Sequence, residues 1–148
     1  MRAVLGQPGE LLPLLAHMMG LASAEEARAL GRASPEALQR ATFGAVREVI
    51  SRLVARGPTV LVLEDLHWAD PTSVRLTEQL AALARAGPLL VLATRRPEPD
   101  PGVSALEASL CSDPGLQSYK IELSPLVADA EAALARSLLG EAAPEAVL

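Results

Sequence analysis

The pattern of apolar residues predicts a long helix followed by a buried strand. Between residues 35 and 56, apolar side chains recur at steps of three and four, which is typical of an amphipathic helix. Ser34 precedes Pro35 in the order expected of an N-cap and a first helical residue. Thr59–Leu63 is then a continuous Val/Leu run, which predicts a strand with both faces buried.

Two further helix–strand units continue this alternation. Asp70-Pro71 predicts a helix that reaches about Ala86, and a second apolar run precedes Thr94. A third run is the candidate strand Tyr119–Leu123. The fold class is therefore predicted to be α/β, with flanking helices and parallel strands at about 59–64, 89–94 and 119–123.

Weaker patterns predict the remaining elements. Ser23 and Glu26 have the spacing of a capping box, which favours a helix ending near Gly31. Residues 1–10 are expected to form a loop, with a frayed edge strand at Arg2–Leu5. Short helices are expected at about 11–19, 103–110 and 128–139.

Composition excludes several classes of function for this segment. The net charge is −5, from 18 acidic and 13 basic residues, so no basic surface for nucleic acid is expected. No apolar run approaches the roughly 18 residues of a membrane span. The single cysteine, Cys111, cannot form an internal disulfide and suits a reducing compartment, which predicts a cytoplasmic protein.

Two adjacent acids, Glu64 and Asp65, follow the first predicted strand. Open α/β sheets bind ligands at the carboxyl ends of their strands, and Mg²⁺ prefers oxygen ligands. One carboxylate could hold a metal while the other orients a water for phosphoryl transfer. From the pattern alone, the alternative of two loop acids after a strand is about equally good.

The residues around these acids resemble a known family. Leu63-Glu-Asp-Leu-His-Trp-Ala-Asp-Pro71 is similar to the Walker B segment of STAND-type AAA ATPases, as found in large LuxR-type regulators and adenylate-cyclase-linked ATPases. Leu90–Pro97 resembles the sensor strand of that family. Ile121–Leu126 resembles the strand that leads into the helical lid.

The resemblance implies a partial P-loop NTPase three-layer sandwich that uses ATP and Mg²⁺. Glu64 matches the first Walker B acid, the usual magnesium ligand, and Asp65 the second, which helps activate water. Glu64 is longer than the common Asp, so either acid could hold the metal. Thr94 and Arg96 match positions that sense the γ-phosphate.

The resemblance also implies a division of the chain. The implied divisions are an N-terminal helical segment at 1–33, the Walker B and sensor core at 34–126, and the start of the lid at 127–148.

The other polar residues of this segment have structural alternatives. His67 could line the nucleotide site or could be a packed, hydrogen-bonded histidine. Trp68 is expected to pack the loop against the next helix, and Asp70 to cap that helix. A zinc site built from Asp65, His67 and Asp70 fits no recognised ligand spacing. Without the resemblance, a surface role for Arg96 is as plausible as the sensor role.

The phosphate-binding loop of the family is missing from the sequence. The only lysine, Lys120, lies in the third candidate strand and not in a Gly-x-x-x-x-Gly-Lys-Ser/Thr pattern. The Gly-Asn-Pro segment of the lid is also missing. We therefore expect a fragment of a larger signalling protein that does not turn over ATP alone and that folds marginally or with a partner. The alternative is a non-catalytic interaction domain on the same scaffold.

Overall fold

The computed structural model describes residues 11–98 and 100–139 of the chain. The candidate edge strand at Arg2–Leu5 lies outside the described residues. Between residues 35 and 93, helices and strands alternate as the apolar pattern predicts. The helices are α1 (Leu11–Met18), α2 (Ala24–Leu30), α3 (Pro35–Val54), α4 (Pro71–Ala81), α5 (Pro101–Ser112) and α6 (Ala128–Leu139), and the strands are β1 (Thr59–Leu63) and β2 (Leu89–Ala93).

The two strands form a parallel pair with a helical crossover between them. Thr59 pairs with Leu89 and Leu63 with Ala93, so the strands begin and end together. The connection contains a 3₁₀ turn at Leu66–Trp68, α4, and a second 3₁₀ turn at Ala82–Arg85. The expected helix therefore tightens after Ala81 instead of continuing to Ala86. This arrangement confirms a mixed helix and strand fold with a partial α/β sheet.

Side-chain caps fix the starts of the helices where the sequence places them. Ser23 Oγ accepts from the Glu26 amide at 3.2 Å, and Glu26 Oε2 accepts from the Ser23 amide at 2.7 Å. Ser34 Oγ accepts from the Ala37 amide at 3.2 Å, ahead of Pro35 at the first position of α3. These bonds satisfy amides that have no partner within their helix.

A close approach of α3 to β2 requires glycine at position 87. A Cβ added to Gly87 would lie 2.4 Å from Cγ1 of Val54, near the end of α3. Val54 is β-branched and has little rotamer freedom to move aside. The Gly87-Pro88 pair therefore ends the crossover and also lets the start of β2 lie against the helix.

Two small clusters form the packed interior. In the first, Leu15 of α1 contacts Ala45 of α3, with partly buried neighbours around them. In the second, Leu66 packs with Val103 and Leu106 of α5, and Val103 is fully buried. The second cluster lies directly behind the end of β1, so it supports the segment that carries the acids.

One face of the sheet is open to solvent, so the prediction that both faces are buried was wrong. Val60, Val62, Leu90 and Leu92 are 59%, 51%, 60% and 49% exposed. The parallel register puts these four side chains on one face, which we call the open face. A continuous apolar run shows that a strand could be buried on both sides, but burial needs a second layer, and no element within residues 11–98 and 100–118 covers this face.

The third strand predicted at 119–123 is absent from the structure. The chain divides into two compact units between Ser118 and Tyr119, and residues 119–127 contain no helix or strand. Tyr119, Ile121 and Leu123 are more than four-fifths exposed, while Lys120 and Glu122 form an ion pair at 2.8 Å. The alternation expected of a strand is therefore present. A strand also needs the backbone of a neighbour to pair with, and the described sheet has two strands only.

None of the helices within residues 11–98 and 100–139 is both long enough and apolar enough to cross a bilayer.

Candidate functional site

The two predicted halves of the site meet at one edge of the sheet. Glu64 and Asp65 follow β1 directly, and Thr94 follows β2. Because the strands are parallel and in register, their carboxyl ends lie side by side. The Thr94 amide donates to the Leu63 carbonyl at 2.9 Å, which carries the backbone pairing to the acids themselves.

Thr94 joins the acidic loop to the second strand. Its hydroxyl accepts a hydrogen bond from the Asp65 amide at 3.2 Å, and its carbonyl accepts one from the Leu66 amide at 2.8 Å. A threonine hydroxyl that accepts a bond keeps its own O–H to donate. Thr94 is exposed, so this O–H can reach a ligand oxygen while the backbone bonds hold the loop.

Asp65 turns the chain out of the strand through a left-handed backbone. Its φ is 55° and its ψ is 42°, and no other described residue except glycine has a positive φ. Aspartate tolerates this conformation better than most residues, at a cost of about 1–2 kcal/mol. The bonds from Thr94 on one side and the burial of Leu66 on the other offset this cost. The turn leaves the Asp65 carboxylate 54% exposed at the sheet edge.

The two acids form a carboxylate pair that faces solvent. Glu64 is exposed, and His67 Nδ1 lies 3.9 Å from Oδ1 of Asp65, beyond hydrogen-bonding distance. The described residues contain no group of three or more His, Cys, Asp and Glu side chains suited to a metal. A magnesium ion needs only one or two carboxylates, since waters and phosphate oxygens supply its other ligands. Two carboxylates are therefore a donor set that fits a magnesium ion with water and phosphate ligands.

The structure gives the two adjacent arginines, Arg95 and Arg96, different partners. Arg95 pairs with Glu107 of α5, with a second contact from Nη2 to Oε2 at 3.0 Å. The Arg96 guanidinium instead lies 5.9 Å from the centre of the Trp68 ring. Arg95 therefore links the loop after β2 to α5. Arg96 is the arginine left at the acidic edge, by which we mean the carboxyl ends of the strands, where Glu64 and Asp65 lie.

His67 is packed and hydrogen-bonded, as one of its two sequence interpretations expected. Its side chain is 10% exposed, and Nδ1 accepts from the Arg96 amide at 3.4 Å. Trp68 was expected to pack against the next helix, which is wrong, because its side chain is 73% exposed. The tight 3₁₀ turn points its indole outward, where it meets Arg96 and the His67 ring at 4.9 Å. No local sequence pattern indicates this Trp68–Arg96 contact.

Asp70 is used as a helix cap and is not available as a metal ligand. Its Oδ1 accepts from the Thr72 amide at 2.7 Å and from the Ser73 amide at 3.1 Å. Its Oδ2 accepts from the Ser73 hydroxyl at 2.9 Å. These bonds, the Ser73 hydroxyl first, hold the pKa of Asp70 below its ordinary value. The capping role predicted from Asp70-Pro71 is therefore confirmed.

One cavity among the described residues lies away from the acids and Thr94. Its volume is about 500 Å³, and it is lined by the end of α3 and the segment before β2, including Val54, Gly57, Gly87 and Pro88. This is the amino-terminal end of the strands, opposite the acids. The acidic edge is an open surface, so the described part of the chain does not enclose a nucleotide by itself.

Comparisons with known proteins agree with this geometry. The model of the AAA ATPase domain family matches residues 4–92. A Rhizobium meliloti (strain 1021) protein, described as uncharacterized, is 32% identical over 77 residues, which are 52% of this chain and 8% of that protein. The chain thus spans a small part of this relative's length. No solved structure matches the chain. Because the family model covers more than half of the sequence, the chain belongs to the AAA ATPase domain family.

Proposed function

We propose that this chain carries the Walker B and sensor strands of a signalling ATPase module of the STAND type. In this proposal residues 34–126 form the nucleotide-facing core, 1–33 an N-terminal helical segment and 127–148 the start of the lid. The complete module binds and hydrolyses ATP with Mg²⁺ and switches the other domains of a larger cytoplasmic protein. Family membership supports nucleotide binding, and the signalling role rests on the resemblance of the motifs.

The proposal rests on one observation: the segments that follow β1 and β2, distant in sequence, meet at one edge of the sheet. Glu64 and Asp65 end β1, Thr94 and Arg96 follow β2, and the Asp65 amide bonds to the Thr94 hydroxyl. Phosphoryl transfer needs a metal-binding acid, a group that orients water, and donors for the γ-phosphate. This edge of the sheet supplies a residue for each of these roles.

Each residue has a role that its position allows. Glu64 and Asp65 hold the magnesium, and Asp65 also orients the attacking water. The ion, when bound, neutralises the charge that develops on the phosphate oxygens. The Thr94 O–H and the Arg96 guanidinium donate to the γ-phosphate. His67 lies in the Walker B segment and is linked to the sensor segment through the Arg96 amide.

We further propose that this chain alone does not turn over ATP. The family cradles phosphates with a glycine-rich loop and a lysine, and the sequence contains no such pattern. The edge described above is also too open to bury a ligand. Positioning accounts for most of phosphoryl-transfer catalysis, so two acids and two donors without a phosphate cradle give no useful rate.

The second candidate is a non-catalytic interaction domain on the same scaffold. The open face favours it, because four adjacent apolar side chains on one sheet face suit contact with another protein layer. The gene sequence immediately upstream separates the two candidates. A phosphate loop in frame there supports the ATPase module, and its absence supports the interaction domain.

The metal site can be tested on the chain with Mn²⁺ in place of Mg²⁺. Paramagnetic Mn²⁺ broadens the NMR signals of nearby residues, so the amides of Glu64, Asp65 and Leu66 are expected to broaden first. Glu64→Gln and Asp65→Asn should each weaken the broadening, and the stronger effect identifies the main ligand. Glu25→Gln, an exposed acid on α2, is the matched control and should change nothing.

Two results would contradict the proposal. Broadening that spreads evenly over all exposed acids, and that neither variant reduces, would remove the metal site. Hydrolysis of Mg-ATP by the chain, at a rate that Asp65→Asn abolishes, would overturn the claim that this chain is inactive alone.

A further inference from the structure

His67 holds the backbone of the residue that is proposed to sense phosphate. Its side chain is nine-tenths buried, and its Nδ1 lies 3.4 Å from the Arg96 amide nitrogen. Its other ring nitrogen, Nε2, is buried without a hydrogen-bond partner among the described residues. A buried imidazole with this arrangement acts on its protein neighbours, because neither nitrogen is open to a ligand in solution.

The hydrogen bond fixes the tautomer of the ring. A backbone amide can only donate, so Nδ1 must accept and carries no proton. In the neutral imidazole the proton then sits on Nε2. The bond is long for its type, and it persists because the 3₁₀ turn at Leu66–Trp68 and the buried Leu66 fix the ring beside the second strand end.

The Arg96 peptide is held from both sides. His67 accepts from its N–H, and Nη1 of Arg95 donates to its carbonyl at 2.9 Å. Arg95 is itself anchored to Glu107 of α5. The backbone of Arg96 is therefore fixed at both polar groups, and only its side chain is left to move.

The Arg96 side chain lies over an exposed indole. The guanidinium carbon is 5.9 Å from the Trp68 ring centre, at the outer range of a cation–π contact, and Trp68 is 73% exposed. A contact this exposed is weak. An anionic oxygen offers a guanidinium stronger, bidentate hydrogen bonds, so a phosphate can draw the side chain away from the ring.

We propose that His67 is a positioning residue for Arg96, and that it acts through the Arg96 amide and not by contact with the nucleotide. The Arg96 guanidinium contacts the Trp68 ring when no phosphate is bound. This inference rests on the proposed function, since it assigns the movement of Arg96 to phosphate sensing. It predicts that the single tryptophan reports the state of the sensor arginine.

The tautomer is measured on the unaltered 148-residue chain. At about pH 8.5, where an imidazole is ordinarily neutral, ¹⁵N NMR of the ring should show an unprotonated Nδ1 and a protonated Nε2. A proton on Nδ1 would overturn the inference, because the ring could not then accept from Arg96. This measurement needs no variant, so it holds even where a substitution prevents folding.

Two isosteric substitutions test the role of the bond. The amide oxygen of His67→Asn occupies roughly the place of Nδ1, while that of His67→Gln occupies roughly the place of Nε2. We expect hydrogen exchange at the Arg96 amide to rise about two- to tenfold in the Gln variant and to remain close to the parent in the Asn variant. Equal changes in both variants would reduce His67 to a space-filling residue.

The fluorescence of Trp68 supplies the second readout. Removing the guanidinium with Arg96→Gln should increase the access of acrylamide, an uncharged quencher, to the indole, and His67→Gln should do the same because the arginine is no longer held in place. Arg56→Gln, an arginine at the other end of the strands, is the matched control. Unchanged quenching in both test variants would contradict the contact between the Arg96 guanidinium and Trp68.

These measurements use neither metal nor nucleotide. A failed Mn²⁺ experiment therefore removes the proposed function and leaves the His67–Arg96 contact standing, while a wrong tautomer removes only the positioning role.

Discussion

The two faces of the β1–β2 sheet have almost the same composition but different surroundings. On one face, Leu61, Leu63, Leu89 and Val91 are half-buried. On the open face, Val60, Val62, Leu90 and Leu92 are about half to three-fifths exposed. Both sets are Val and Leu, so residue type did not determine which side is covered.

The difference shows where this domain obtains its stability. Burying apolar surface contributes about 25 cal/mol per Å², and the open face contributes little of this. The packed clusters around Ala45 and around Val103 contribute instead. We therefore expect a substitution in the packed clusters to change the free energy of unfolding more than one on the open face. Two predictions test that expectation, and a third compares a helix-capping carboxylate with the two that face solvent; they run from the largest effect to the smallest.

Truncating a leucine in the packed interior should have the largest effect. Leu106 is 5% exposed and packs with Leu66 and Val103, so Leu106→Ala should lower the free energy of unfolding by about 2–5 kcal/mol. Leu90→Ala removes the same atoms from the open face and should change it by no more than about 0.5 kcal/mol. Urea unfolding followed by circular dichroism measures both. Equal losses of unfolding free energy would show that the open face is covered in solution. The two faces of the sheet would then not differ in burial.

Adding one methyl group should also separate packed from open positions. Gly87→Ala places its Cβ against Cγ1 of Val54 and should cost about 1–3 kcal/mol through overpacking. Gly44→Ala, at an open position inside α3, should stabilise the chain by about 1 kcal/mol, since alanine is the better helix former. Thermal unfolding of the two variants should therefore shift in opposite directions. A stabilising Gly87→Ala would mean that α3 and β2 are not held this closely.

The smallest expected effect concerns a carboxylate with protein partners, in contrast to the solvent-facing Glu64 and Asp65. The pKa of Asp70 is lowered in the folded chain, so its stabilising contribution is present above about pH 4, the ordinary Asp value, and is lost as pH falls through the folded pKa. Asp70→Asn keeps a capping oxygen that does not titrate. Its melting temperature should fall less on acidification than that of the parent chain. Parallel melting curves across this range would contradict the assignment of Asp70 as a charged cap.

The sequence predicts most of the local structure, because the signals involved are local. The capping box at Ser23 and the Ser34 and Asp70 caps act within a few residues of the chain, and the structure shows each of them. The two acids after β1 and the Thr94 segment after β2 were also predicted. Their meeting at one edge follows from the parallel pairing that a helical crossover imposes.

The prediction fails where a second partner is needed. Tyr119–Leu123 has the alternation of a strand and lacks a neighbouring backbone, and Val60 and Leu90 have the composition of a core and lack a covering layer. A sequence pattern records what a segment is suited to contact. It does not record whether that contact is present.

The sequence by itself therefore determined the helices, the two strands and the position of the acids along the chain. Only the tertiary structure decided that Arg95 pairs with Glu107 while Arg96 meets Trp68, and that the Nδ1 of His67 accepts from the Arg96 amide. These choices depend on contacts between residues about 12 to 29 positions apart in the chain. Such contacts are set by the packing of α5 and the 3₁₀ turn against the strand ends, and no local pattern encodes them.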